Sequence, residues 1–275
     1  MELLKMKLTL GAEAPFRILH MSDTHLYLAD ERDNERKRQL AVNRSRHFTT
    51  PEENLAAGVQ VARENHAVIM YSGDLIDFVS EANLDAAKTF TDENDCFMAA
   101  GNHEFSLYVG EAFEDAAYRE QSLSHVQESF KNDIRFAARV INGVNFVAID
   151  NSYYLIDEWQ LDRLKEECRK GMPVVLIVHT PLYAEDLAAE CHARNTEALY
   201  LMDAPESELA TYSEYRYRQQ KADAVTHEAM EYIKSEPAIR AILTGHLHYA
   251  FTSHVTDTLT QYMVGTDSMR LIEIE

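Results

Sequence analysis

Five stretches of β-forming apolar residues, each ending in a compact polar cluster, constrain this chain more than any other feature of its sequence. Residues 16–19 lead to Asp23-Thr24-His25, and residues 67–70 to Gly73-Asp74-Leu75-Ile76-Asp77. Residues 96–98 lead to Gly101-Asn102-His103-Glu104, residues 174–178 to His179, and residues 239–243 to Gly245-His246-Leu247-His248. Polar clusters at strand ends converge on one edge of a sheet, where α/β folds carry their sites. Together the five offer three aspartates and a glutamate, one amide and five imidazoles. That is more than one metal ion takes and about right for two.

The spacing within the blocks suits metal ligation. Alternate residues of an extended segment point to one side, so Asp23 and His25 can reach one ion, and His246 and His248 repeat that spacing. Asp74 follows Gly73, which lets the backbone turn tightly, and its two oxygens can bridge two ions. Asn102 offers a carbonyl oxygen and His179 an imidazole. Nitrogen and oxygen donors of this kind select a divalent transition metal, with Mn, Fe and Zn all suited.

With 275 residues and 46% hydrophobic content, the chain can bury a sizeable core. Its formal net charge is −20. Such a surface repels long polyanions and disfavours binding to long nucleic acid, which depends on cationic phosphate contacts. Small anionic substrates remain compatible, because a pair of cations makes a pocket locally positive. Three cysteines without a CxxC pair point to a reducing compartment, the cytoplasm. The first ten residues lack the continuous apolar run of a signal peptide. No run reaches the ~18 apolar residues of a membrane span.

Strands and helices alternate, and no linker divides residues 1–275, which read as one domain. Thr50, Pro51 and Glu53 predict a capped helix start, and residues 157–170 a helix stopped by Gly171 and Pro173. A further helix ends at Ser235, residues 144–149 form a strand ending at Asp150-Asn151, and residues 251–274 hold several β segments. Two stretches break the rhythm. Residues 30–46, dense in both charge signs, follow the first block and include Arg32, Arg36 and Arg44 as candidate phosphate contacts. An insertion at about 184–222 separates His179 from His246 and is rich in tyrosine and arginine. Long insertions between site residues often form lids. Tyr183, or a tyrosine near Arg216, is a candidate for stacking on an aromatic leaving group.

The five blocks in this order resemble the signature of the calcineurin-like metallophosphoesterases: DxH, GDxxD, GNH(D/E), H and GHxH. The resemblance spans Asp23 to His248. It implies an α/β fold, a four-layer α/β/β/α sandwich of two mixed β-sheets flanked by helices. By it, Asp23, His25, Asp74 and His248 hold one metal, and Asp74, Asn102, His179 and His246 the second. It further implies hydrolysis of a small phosphate ester, with a metal-bridging hydroxide attacking phosphorus in line. His103 then serves as the acid for the leaving group, with Asp77 its partner, and Glu104 stands behind the ligands. Phe78 and Leu26 depart from the serine/threonine protein phosphatases, which carry an arginine and a glycine at those places. Asp77 stands where purple acid phosphatases carry a tyrosine. The competing readings are a nuclease of the same fold, which needs a basic track this chain lacks, and a non-catalytic metal-binding scaffold, which would be expected to have lost ligands. Of the other histidines, His20 and His192 are the ones to test for proximity to the blocks.

Overall fold

A computed structural model describes all residues, Met1–Glu275. Eleven strands form two sheets: β1 (Glu2–Leu8), β2 (Phe16–Met21), β3 (Val68–Tyr71), β4 (Cys96–Met98), β5 (Phe136–Ile141), β6 (Val144–Ile149), β7 (Val174–Ile177), β8 (Ile239–Thr244), β9 (Phe251–His254), β10 (Thr260–Met263) and β11 (Ser268–Ile274). The helices are α1 (Glu35–Arg44), α2 (Pro51–Asn65), α3 (Glu81–Glu93), α4 (Ala116–Glu120), α5 (Leu123–Gln127), α6 (Glu158–Cys168), α7 (Glu185–Ala193), α8 (Glu206–Leu209), α9 (Glu214–Gln220) and α10 (Ala224–Ser235). Sheet one runs β1-β11-β2-β3-β4 and sheet two runs β5-β6-β7-β8-β10-β9.

The near-continuous apolar runs are explained by burial on both faces of each strand. Side chains alternate between faces. In β2 and β3, Ile18 and Met70 point to the opposite sheet, while Leu19, Ile69 and Tyr71 point outward. In β6 and β7, Phe146, Ala148, Val175 and Ile177 point inward, while Val147, Ile149, Val174 and Leu176 point outward. The inward rows meet as one core between the sheets. Residues of α2 and α3 pack on sheet one's outer face, and residues of α6 and α10 on that of sheet two. The result is the four-layer α/β/β/α sandwich of two mixed sheets.

Strands β2, β3 and β4 are mutually parallel, as are β6, β7 and β8. The loops after β2, β3, β4, β7 and β8 therefore open at the C-terminal ends of their strands, and these loops carry the five polar clusters.

Three local features differ from the sequence reading. Thr50 makes no side-chain cap on α2; its ψ of 45° is not extended, and the turn closes instead on its backbone carbonyl, which accepts from Asn54 N–H at 2.9 Å. The capping box lies on α6, between Asp157 and Gln160. The first residues form β1, paired in parallel with β11 at the far end of the chain. The insertion supplies α7, α8 and α9 and a small core of its own, with Leu187, Cys191, Leu199, Leu201 and Leu209 buried together.

Candidate metal centre

Five clusters from two sheets meet at one edge. On one side, His25 Nε2 lies 3.0 Å from His248 Nε2, 3.8 Å from Asp23 Oδ1 and 3.6 Å from Asp74 Oδ2, and His248 Nε2 lies 3.5 Å from Asp23 Oδ1. On the other, His179 Nε2 lies 3.1 Å from Asp74 Oδ2 and 3.1 Å from His246 Nδ1. Asp74 Oδ2 is common to both groups. Atoms bound at ~2.1 Å to a single ion stand ~3.0–3.4 Å apart in octahedral or tetrahedral geometry. Most of the separations here fall in or near that span. Asn102 Oδ1 is buried and has no hydrogen-bond partner. A buried acceptor left unpaired costs free energy, and a cation would satisfy it. The donor set fits a pair of divalent ions.

Backbone strain marks the same residues. Asp23 (φ 56°), His25 (52°), Asp74 (57°), His246 (72°) and His248 (60°) all occupy the left-handed region. For residues with a Cβ this costs roughly 1–3 kcal/mol each and persists where the surroundings over-determine it, typically at functional sites. Gly73 has φ 97°, and a Cβ there would strike the Gly101 backbone and His179 Nδ1. A Cβ on Gly245 would strike Ser22 and the Asp23 carboxylate. These glycines let the strand ends close on one another.

Behind the ligands lies a network of hydrogen bonds. The fully buried Glu104 carboxylate accepts from the N–H groups of Asp74 (2.8 Å), Leu75 (2.7 Å) and Gly101 (2.7 Å), tying the loop after β3 to that after β4. Burial, with the Asp74 charge beside it, pushes Glu104 up to about 7. Asp23 accepts from His246 N–H at 3.0 Å, joining the two sheets. Asp74 Oδ1 accepts from His103 N–H at 2.9 Å.

His103 and Asp77 sit together beside the first group. His103 Nδ1 donates to the Asp77 backbone carbonyl at 2.7 Å and lies 3.2 Å from its Oδ1. Burial opposes charge on His103, but the Asp74 and Asp77 carboxylates outweigh it and hold the imidazole up at about 10. Burial likewise opposes charge on His179, and Asp74 holds it up at about 9. Burial pushes His246 down to about 3 and His248 down to about 4. Asp77 Oδ1 also faces His25 Nδ1 at 3.0 Å. Burial raises Asp77, yet His103, His25 and Arg44 together draw it well below the usual carboxylate range.

Of the three candidate arginines in the 30–46 stretch, Arg44 enters the site. Its Nε donates to Asp77 Oδ2 at 2.5 Å and its Nη2 to Oδ1 at 2.8 Å. Arg32 pairs with Asp30 and Asp85, and Arg36 with Glu111. Phe48, just past α1, stacks on His25 with ring centroids 4.2 Å apart. From the insertion, Tyr200 turns its ring edge to His246 at 6.2 Å, and the Arg216 guanidinium lies 5.1 Å over the Tyr200 ring. Arg216 also donates to Glu197 and Gln219. Tyr183 donates to Glu185 and packs with the insertion's core. His20 is buried in β2, three residues before Asp23, facing Ser72 Oγ at 2.9 Å, and His192 pairs with Glu208 on the surface. Phe48 and Tyr154 went unread in the sequence, because neither belongs to a block or to a periodic apolar run; Tyr200 is a tyrosine near Arg216 of the kind the sequence offered.

Two mixed sheets back to back, with paired Asp/His groups sharing one carboxylate at their edge, define a class of hydrolase built on paired metal ions. The chain belongs to the calcineurin-like phosphoesterase family, whose model matches residues 16–250. It is a metallophosphoesterase, and its family is binuclear and metal-dependent. Among solved structures it is similar to a dimetal phosphatase from Danio rerio, at 12% identity and a TM-score of 0.48, covering 91% of this chain and 88% of that one. It is similar too to the phosphopantetheinyl hydrolase of Mycobacterium tuberculosis (13% identity, TM-score 0.45, covering 92% and 90%). A third is the NAD nucleotidase of Haemophilus influenzae (11% identity, TM-score 0.45), where the match covers 92% of this chain but 45% of that one. No curated protein matches the sequence. No helix is long and apolar enough to cross a membrane.

Proposed function

We propose that the chain hydrolyses a small phosphate ester at a two-metal site, with Asp23, His25, Asp74 and His248 holding one ion and Asp74, Asn102, His179 and His246 the other. The observation that carries this reading is the shared oxygen: Asp74 Oδ2 lies 3.6 Å from His25 Nε2 and 3.1 Å from His179 Nε2. When bound, a pair of divalent cations supplies Lewis acidity toward the phosphoryl group and activates water as the nucleophile. Mn, Fe and Zn suit the ligand set.

The protein's own groups do the rest. His103 gives a proton to the leaving oxygen, while its Nδ1 is anchored at Asp77. Asp77 orients both His103 and His25, and Arg44 fixes Asp77 through both carboxylate oxygens. Residues 1–275 act as one catalytic domain, with the 184–222 insertion as a lid that brings Tyr200 and Arg216 to the leaving-group side; Tyr183 supports that lid. The net charge of −20 favours small esters over long nucleic acid. The protein works in a reducing, cytoplasmic setting, consistent with three buried free cysteines.

The test is a panel of phosphomonoesters, phosphodiesters and nucleotides assayed with added Mn²⁺, for wild type and His103→Ala. Wild type should turn over at least one class of small ester. The variant should keep its metals and lose ~10²–10⁴ in rate, most with the poorest leaving groups. No turnover of any ester with Mn²⁺, Fe²⁺ or Zn²⁺ would sink the proposal.

A further inference from the structure

We infer that the loop after β6, residues 150–154, is the positioning device of the second metal's two histidines, with Tyr154 as the residue that sets the ring of His246. The inference rests on the two-metal reading above. Asp150-Asn151 stood out in the sequence only as the end of a strand. In the structure, this short loop grips both histidines at once. The Asn151 side-chain oxygen accepts from His179 N–H at 2.9 Å and Thr180 N–H at 3.0 Å, and its amide donates to the Thr180 carbonyl at 2.7 Å. Three positions on, the Tyr154 hydroxyl lies 2.9 Å from His246 Nε2.

The chemistry gives that contact a direction. His246 Nδ1 faces His179 Nε2 at 3.1 Å and belongs to the group formed with Asp74. A nitrogen that binds a metal carries no proton, so the proton of neutral His246 sits on Nε2 and is donated to the Tyr154 oxygen. Partners of this kind behind a ligating histidine fix its tautomer and ring angle. Without the hydroxyl, the ring could present the protonated nitrogen to the ion.

The loop is built to hold this pose. Tyr154 has φ 64°, and its N–H is tied to the Asn151 carbonyl at 2.9 Å. A bulky side chain in that region is a backbone outlier. It is buried, so the strain serves an interior contact. At the loop's base, Asp150 accepts from Ser152 Oγ at 2.6 Å and Arg119 Nη1 at 3.1 Å, and lies 2.8 Å from Arg135 Nε.

The experiment is Mn²⁺ titration of the purified full chain, followed by calorimetry and by electron paramagnetic resonance, for wild type, Tyr154→Phe and Tyr154→His. Phe keeps the ring and its packing but deletes the hydroxyl; His restores a polar partner. We expect two ions in wild type with a spin-coupled spectrum. Tyr154→Phe should weaken the second ion ~10–100-fold, the range typical for loss of such a partner, leaving the first ion tight and the spectrum that of isolated Mn²⁺. Tyr154→His should recover part of the second affinity. Unchanged binding of both ions by Tyr154→Phe overturns the role of Tyr154 alone. Equal loss of both ions, or a collapsed melting transition, makes Tyr154 a packing residue and overturns it too. Fewer than two ions in wild type overturns the two-metal reading itself.

Discussion

Sheet one and sheet two bring different chemistry to their shared edge. Among the candidate ligands, both carboxylates, Asp23 and Asp74, come from the loops of β2 and β3, and with them come Asn102 and His25. Sheet two contributes His179, His246 and His248, all imidazoles. The first half is anionic and is wrapped in donors: Glu104 is gripped by N–H groups, and Asp77 by Arg44, His25 and His103. In the second half burial pushes His246 and His248 down to about 3 and 4, while the Asp74 carboxylate opposite holds His179 up at about 9. A buried charge needs a partner. A cation pair between the halves satisfies the anionic side and uses the free lone pairs of the other. In the proposed two-metal arrangement the ions would clasp one sheet to the other as well as serving the chemistry.

The substitution that should break this comparison most completely is Asp74→Asn. It removes the charge both groups share, so both ions should weaken and turnover should fall to background. Metal stoichiometry checks it, and loss of only one ion would show that Asp74 does not bridge. The clasp also has a thermal signature. Mn²⁺ at ~100 times its dissociation constant stabilises the folded chain by about 2.7 kcal/mol, a rise of roughly 5–10 °C in Tm for a domain of this size. Asp74→Asn should lose that rise.

The motif half of the site was legible in the sequence because short-range rules govern it. A polar pair two apart at a strand end, or a glycine ahead of an aspartate, declares its geometry locally. The structure brings Asp23, His25, Asp74, His179, His246 and His248 together at one edge, and Asn102, with its Oδ1 buried and unpaired, precedes His103, whose N–H binds Asp74. The supporting residues were not legible in that way. Arg44 lies on α1, which has no buried residue and hence no apolar stripe to read. Tyr154 lies in irregular backbone, where nothing periodic fixes the direction of a side chain. The strand β1 was hidden for a related reason. Its partner β11 lies at the other end of the chain, and no local pattern reports a pairing of Glu2 with Ser268.

A smaller effect tests how the anionic half is organised. Arg44→Met removes both guanidinium contacts to Asp77 and leaves that carboxylate to the two histidines. The Arg44 side chain is 17% exposed and Asp77 is fully buried, so solvent cannot readily replace it. Turnover should fall about 10-fold, the lower end for losing a group that orients ligands, with both ions retained. Arg44→Lys should recover little, because a single ammonium cannot span both carboxylate oxygens. A full recovery would mean that charge alone, rather than the two-point geometry, holds Asp77.

The smallest effect belongs to the imidazole half and separates ring from hydroxyl in the insertion. The Tyr200 hydroxyl donates to Glu197 at 2.6 Å, while its ring edge meets His246 and its face carries Arg216. Deleting the hydroxyl gives up a hydrogen bond worth roughly 0.5–1.5 kcal/mol at a half-exposed position, so Tyr200→Phe should change kcat/KM by no more than a few-fold. The ring stays, and with it the wall beside His246. If Tyr200→Phe instead falls as far as Arg44→Met, the Glu197–Tyr200–Arg216 chain is doing more than packing. The insertion would then count as part of the catalytic surface, and the second half would owe its geometry to segments on either side of the sheet edge.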